Sequence, residues 1–286
     1  MKFKLSITTT VGLVGGVACV AIAISQAGNL GLFVNVPSLF IIVGGTVFAI
    51  IASFPSATLK TLGSVIKQSF VRENLDLERD IETIVQIAEQ ARREGILSIE
   101  ELAMSCDDQF LKRGLMMLVD GHGKEDIEDT MVNVVYQMQK RHRKGYAMVN
   151  MIASLAPALG LVGTYVGLIP MLVSLDDPTK LGPLMAIELV SSFYGAFLAY
   201  VIFSPMGRKL MIKSEQEKDR NELLLEGILS ICDGKNPRIL REDLQAYLTK
   251  KDALHVAVRK PKNGEPAGKP VETVIQSRQT ASERSA

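Results

Sequence analysis

Tryptophan is absent from the 286 residues, and there are only three histidines and three cysteines. Cys19, Cys106 and Cys232 stand far apart, without the paired spacings of a disulfide framework or a zinc site. They read as three unlinked small apolar side chains. His122, His142 and His255 are equally scattered, so no metal site is expected. There is no phosphate loop and no nucleophile–histidine pair, which argues against a hydrolase or a transferase. No period-two alternation competes with helical spacing, so strands are not expected either.

The deeper deficit is local. Charged residues make up 22% of the chain, yet residues 5–59 and 145–175 contain none, and Glu188 alone interrupts 181–207. A bilayer-spanning helix needs about 20 mostly apolar residues. The first run is long enough for two spans, and Gly28, Asn29, Gly31, Asn35 and Pro37 mark a turn inside it. Four spans are expected, near 8–25, 37–54, 149–173 and 185–203. The fold class is therefore an all-α membrane protein with a helical cytoplasmic lobe. Its segments are 1–56 (two spans), 57–146 (soluble helices), 147–206 (two spans), 207–249 (soluble helices) and a disordered tail, 250–286.

Orientation follows from the Lys/Arg balance. Lys2, Lys4, Lys60, Lys67, the "KRHRK" run at 140–144, Arg208, Lys209 and Lys213 fall on one side; Asp176, Asp177 and Lys180 fall on the other. Both termini and the middle region are then cytoplasmic. A cleavable signal peptide also fits "MKFK" and its apolar core, but cleavage would leave three spans and put the basic regions outside.

In the soluble portion Leu77, Ile81, Ile84, Val85 and Ala88 give an amphipathic helix over 74–93, ended by Gly95. Ser98 and Glu101 have capping-box spacing for a new helix. Further helices are expected over 108–119, over 124–144 running into the third span, over 208–231, and over 238–248. Arg92 and Arg93 close one helix, and Glu100 and Glu101 open the next. Dipole matching, taken alone, is the better explanation of that placement; an exposed charged face for a complementary partner is the alternative.

On the third span Ala156, Gly160, Gly163, Thr164 and Gly167 share one face, and on the fourth Glu188, Ser191, Ser192, Gly195 and Ala199 do. Tight packing, with each hydroxyl bonded to a carbonyl one turn back, accounts for both faces. A polar track through Thr164 and Ser192 is the alternative. Pro157 and Pro205 remove amide donors near the inner ends, where bends are tolerated. Glu188, about one turn inside the outer boundary, is costly unless it meets water or a bundle interior. One carboxylate at that depth is no proton relay. The ion-carrying carboxylate of a conducting assembly would come from another chain.

Five stretches, "ARREGILSIEE" from Ala91, "FLKRGLMMLVDGH" from Phe110, "LAPALGLVGTYVGLIPML" from Leu155, "LDDPTKLGPLMAIEL" from Leu175 and "SSFYGAFLAYVIFSP" from Ser191, carry a family resemblance. The chain resembles the A-subunits of bacterial flagellar stators, the MotA/PomA branch of the MotA/TolQ/ExbB proton channel family, up to about Leu248. The resemblance implies a multi-pass inner-membrane protein, a ring of five copies around two MotB- or PomB-type B-subunits, and torque on the rotor protein FliG. It implies no cofactor, only transported sodium or protons, and no nucleic acid. It matches Arg92 and Glu100, flanked by Arg93 and Glu101, to rotor-contacting charges, and Pro157 and Pro205 to conformational prolines. Thr164 matches the threonine facing the B-subunit carboxylate, and Gly160, Gly163, Gly167 and Gly195 are expected to pack against that subunit. Ser192 stands where sodium-driven members carry threonine and proton-driven members alanine; an oxygen ligand suits a hard cation, which favours sodium slightly. Glu188 has no family counterpart and is expected to gather cations at the outer mouth or to pair with Lys180. A TolQ/ExbB-like energiser of envelope transport and a non-conducting scaffold are the competing readings.

Overall fold

Without water, each backbone amide in a bilayer must find its partner within the segment, and a helix is the local solution. The computed structural model describes residues 6–26, 28, 30–71 and 75–248, with helices and no β-strand among them. In chain order these are α1 (Ile7–Gln26), α2 (Val36–Ser53), α3 (Leu62–Phe70), α4 (Leu77–Glu94), α5 (Glu100–Ser105), α6 (Gln109–Val119), α7 (Lys124–Val173), α8 (Pro178–Cys232) and α9 (Pro237–Gln245). Four of them, α1, α2, α7 and α8, are long and apolar enough to cross a membrane. Residues Met1–Leu244 form one unit and Gln245–Ala286 a second, of which only 245–248 are described. The 250–286 tail lies outside the described residues.

Caps set several boundaries. The Asp76 carboxylate accepts from the Arg79 amide at 3.2 Å and starts α4; Gly95, at φ 88°, ends it where a side chain would be strained. Asp108 accepts from the amides of Phe110 and Leu111, both at 2.9 Å, and starts α6. The capping box expected at Ser98 does not form. Its hydroxyl donates instead to the Gly95 carbonyl at 2.7 Å, a tight turn occupies Ile96–Ile99, and α5 begins only at Glu100 with no side-chain cap. The last helix stops at Gln245 rather than 248.

Two helices run unbroken from the apolar zone into the charged one. α7 is 50 residues long and α8 is 55. Their charged ends and α4, α6 and α9 enclose the lobe core, where Ile84, Leu115, Ile127, Met131, Leu223, Leu224, Ile228, Leu240 and Leu244 are inaccessible to solvent. Each such burial is worth about 1.5–3 kcal/mol. A smaller cluster of Val149, Met206 and Leu210 lies where α7 and α8 meet the charge boundary. α3 lays Leu62, Val65, Ile66 and Phe70 on it, one face at helical spacing. Lys213, buried on α8, fixes that docking by donating to the carbonyls of Gln68 and Val71 at the C-terminal end of α3.

α1 has no buried residue, and Ile7, Val11 and Val14 are 71%, 64% and 62% exposed. Such an apolar surface suits lipid or other chains rather than water.

Candidate functional site

The apolar halves of α7 and α8 run antiparallel, and glycine sets their separation. A Cβ placed on Gly160 would lie 3.3 Å from the Ser191 carbonyl oxygen and 3.4 Å from Cα of Gly195. One on Gly167 would lie 2.7 Å from the Leu184 carbonyl oxygen and 2.8 Å from the Glu188 amide. One on Gly195 would lie 2.6 Å from the Ala156 carbonyl oxygen and 3.2 Å from Cα of Pro157. Backbone therefore meets backbone at Gly160, Gly167 and Gly195, as small residues permit in hydrocarbon. Gly160, Gly163, Gly167 and Gly195 are all buried by this contact within the chain. The face expected against a B-subunit is thus the face that the two spans offer each other in this chain.

The serine that enters the contact is Ser191. It is fully buried against Gly163, and its hydroxyl has no hydrogen-bond partner, so the expected bond to its own helix is absent. Thr46 on α2 is the other buried hydroxyl without a partner among the described residues. Ser192 is exposed, and Thr164 is half-buried with its hydroxyl donating to the Leu161 carbonyl at 2.7 Å. Among the described residues no hydrogen bond joins Thr164 to Ser192. They nevertheless share a flank. Successive residues advance about 100° around a helix, so each stands one step past its own contact line. Antiparallel helices turn in opposite senses seen from one end, which brings both steps to the same side of the pair. Beside Thr164, Leu161 and Tyr165 are 54% and 51% exposed, so this flank is open within the chain.

Glu188 is half-buried at the contact, its backbone against Gly167. It does not pair with Lys180 of its own chain, which binds Asp177 at 3.1 Å. The outer end is tied elsewhere: the Ser38 hydroxyl donates to the Ile187 carbonyl at 3.1 Å, and the Tyr194 hydroxyl donates to the Phe33 carbonyl.

The two prolines occupy different settings. Pro157 lies inside α7, where the missing amide leaves the Ala153 carbonyl without its ordinary donor. Pro205 directly follows a widened stretch, Phe197–Phe203, bonded i to i+5. That extra room accommodates the ring where a regular helix would clash with the Val201 carbonyl. Phe40–Gly44 in α2 is widened in the same way.

In the lobe, Arg92, Arg93, Glu100 and Glu101 are all exposed around the Gly95 turn. Arg93 makes one weak pair, with Glu89 at 3.6 Å. Behind them lies an arrangement sequence reading missed. Arg220 of α8 binds Asp80 of α4 at 2.5 and 2.9 Å and Asp108 at 2.6 Å. Burial tends to raise the Asp108 carboxyl, but the Leu111 amide, Arg220 and the Phe110 amide together hold it below its ordinary range. The two carboxylates raise the Arg220 guanidinium further still. Only Asp108, as a helix start, had a legible signal; Arg220 lies 112 residues from it and 140 from Asp80, separations that no local pattern reveals.

Comparison with known proteins places these features. Residues 102–223 match the model of the MotA/TolQ/ExbB proton channel family. An uncharacterized protein of Bacillus subtilis, YtxD, is 38% identical over 85% of this chain and 91% of its own. Chemotaxis protein PomA of Vibrio alginolyticus is 34% identical over 88% of this chain and 99% of its own. The flagellar MotAB stator complex from Bacillus subtilis contains a chain of similar structure, TM-score 0.79 at 33% identity, covering 87% of this chain and 98% of that one.

Proposed function

The chain belongs to the MotA/TolQ/ExbB proton channel family, and from that premise we propose that it is the A-type subunit of a flagellar stator. It assembles as a ring, of five copies in this reading, around two B-subunits in the inner membrane, with both termini cytoplasmic. Inward cation flow, sodium before protons, drives torque on the rotor protein FliG. It is not an enzyme and needs no cofactor.

One observation carries this reading. The α7–α8 pair closes on itself through glycine, while Thr164 and Ser192 stand on one open flank with no charged side chain between residues 145 and 175. Such a flank is half a cation site: hydroxyl oxygens without a negative charge. The missing carboxylate comes from the B-subunit helix. Each elementary charge crossing the membrane yields roughly 2.3 kcal/mol per 100 mV, which is available as work at every step. Pro157 and the widened turn before Pro205 sit at the inner end of this flank and are the places where the pair yields. Glu188 at the outer end concentrates cations. Arg92 and Glu100, with Arg93 and Glu101, present the charge pattern that the rotor reads.

Swimming speed measured against external sodium at fixed pH tests it, in a strain relying on this chain and its B-subunit. Speed should rise with sodium and collapse in the Thr164→Val, Ser192→Ala double variant. Full speed in that variant would refute a conducting flank, and indifference to sodium would refute the choice of ion.

A further inference from the structure

Where the spans end on their basic side, the turn after α2, helix α3, and the adjoining parts of α7 and α8 surround a cavity of about 380 Å³. Its apolar wall includes Val65, Tyr146 and Leu210. Its charged residues are mainly cationic: Arg141, Lys144 and Lys213, against the single carboxylate Glu217, which faces His142 at 3.8 Å. Lys213 is locked in place through its bonds to the end of α3. Arg141 and Lys144 are exposed. The uncharged run of α7 begins at Gly145, so the cavity spans the level at which chain surface changes from apolar to charged.

We propose that this cavity binds the headgroup of an anionic phospholipid of the inner leaflet, its phosphate held by Arg141 and Lys144. The argument is complementarity at a fixed depth. A soluble phosphate compound has no use for the apolar wall, and a zwitterionic lipid has no use for three cations. An anionic lipid uses both, its acyl chains continuing along the uncharged surface beyond Gly145. Basic pockets between membrane helices on the cytoplasmic side are suited to such headgroups. The ligand would brace α3 against α7 and α8, beside Gly145, where a Cβ would already stand 3.0 Å from Val65. The inference rests on the membrane orientation proposed above and not on torque, so lipid binding and motility fail independently.

The test uses the full chain copurified with its B-subunit, stripped of lipid and resupplied with equal phosphatidylglycerol and phosphatidylcholine of identical chains. Retained lipid is quantified by mass spectrometry. Wild type should retain phosphatidylglycerol selectively. Arg141→Gln with Lys144→Gln should weaken retention about thirtyfold, from about 1 kcal/mol per cation. Lys140→Gln with Arg143→Gln removes the same charge from the same helical turn, away from the cavity, and should retain it, as should Lys144→Arg. Equal loss from both double variants would overturn the proposal by showing diffuse surface charge. Absence of headgroup preference, or displacement by millimolar glycerol phosphate, would overturn it too. So would a changed oligomer size with lipid retention intact, which would make the cavity a contact between copies.

Discussion

The carbonyl oxygen of Ala156 lies 2.6 Å from the point that a Cβ would occupy on Gly195. Both atoms belong to backbone, so neither can turn aside. Gly195→Ala should therefore push α7 and α8 apart, at a cost of about 1–3 kcal/mol, seen as a lower thermal midpoint in detergent. Gly12→Ala provides the contrast, since nothing lies within 4 Å of its added methyl. An unchanged midpoint for Gly195→Ala would show that the helices are not in this register.

Ser191 behaves in the opposite sense. Its hydroxyl is buried without a partner, a desolvation cost with no return. Ser191→Ala should leave stability unchanged or raise it by up to about 1 kcal/mol, with ion-driven motility retained. A marked loss of stability would mean that the hydroxyl has a partner after all.

Arg220 holds the starts of α4 and α6 against α8, with side chains only 17–27% exposed. Arg220→Leu leaves two carboxylates facing each other, and should cost about 2–4 kcal/mol. The acid response has a definite sign. Asp108 has a depressed folded-state carboxyl, so its contribution is complete above the ordinary value of 3.8 and is lost as pH falls below that through the folded value. Asp108→Asn should flatten the acid limb of a stability–pH curve in that window, measured by thermal melting of the lobe signal.

Lys213→Met keeps the stem and removes the donors that hold the end of α3. Amide exchange across residues 62–70 should accelerate while the lobe core around Leu223 stays protected. Uniform protection would show that the apolar face of α3 suffices alone.

Reversal of Arg92 to Glu together with Glu100 to Arg should abolish motility while ion conduction persists. Conduction is read as proton or sodium uptake in cells expressing the chain with its B-subunit. Joint loss of both would point to a folding defect, checked by expression level, and retained motility would remove these charges from the rotor face.

What could be read in advance followed locality. The four spans needed only missing charge, and α4 needed only its repeat of Leu77, Ile81, Ile84, Val85 and Ala88 and the stop at Gly95. The shape of the Gly95–Glu100 turn was less legible, because Ser98 has both a cap role and a turn role and only backbone geometry chooses. The glycine faces of α7 and α8 were visible as faces, but periodicity cannot say which neighbour covers a face; that required seeing Gly195 against Ala156. Arg220 and Lys213 were invisible for a simpler reason. Each reads as one more charge in a charged stretch, and its meaning lies in carboxylates or carbonyls over a hundred residues away.

The uninterrupted course of α7 and α8 has a mechanical consequence. At about 1.5 Å per residue, helices of 50 and 55 residues are rods of about 75 and about 83 Å, stiff in bending compared with any loop. A tilt imposed at the outer end meets Pro170 in α7 and Pro183 in α8 first, and then, nearer the lobe, Pro157 and the widened turn before Pro205. Elastic compliance between the outer end and the lobe thus gathers at these interruptions, and Pro157 and the widened turn set it on the lobe side.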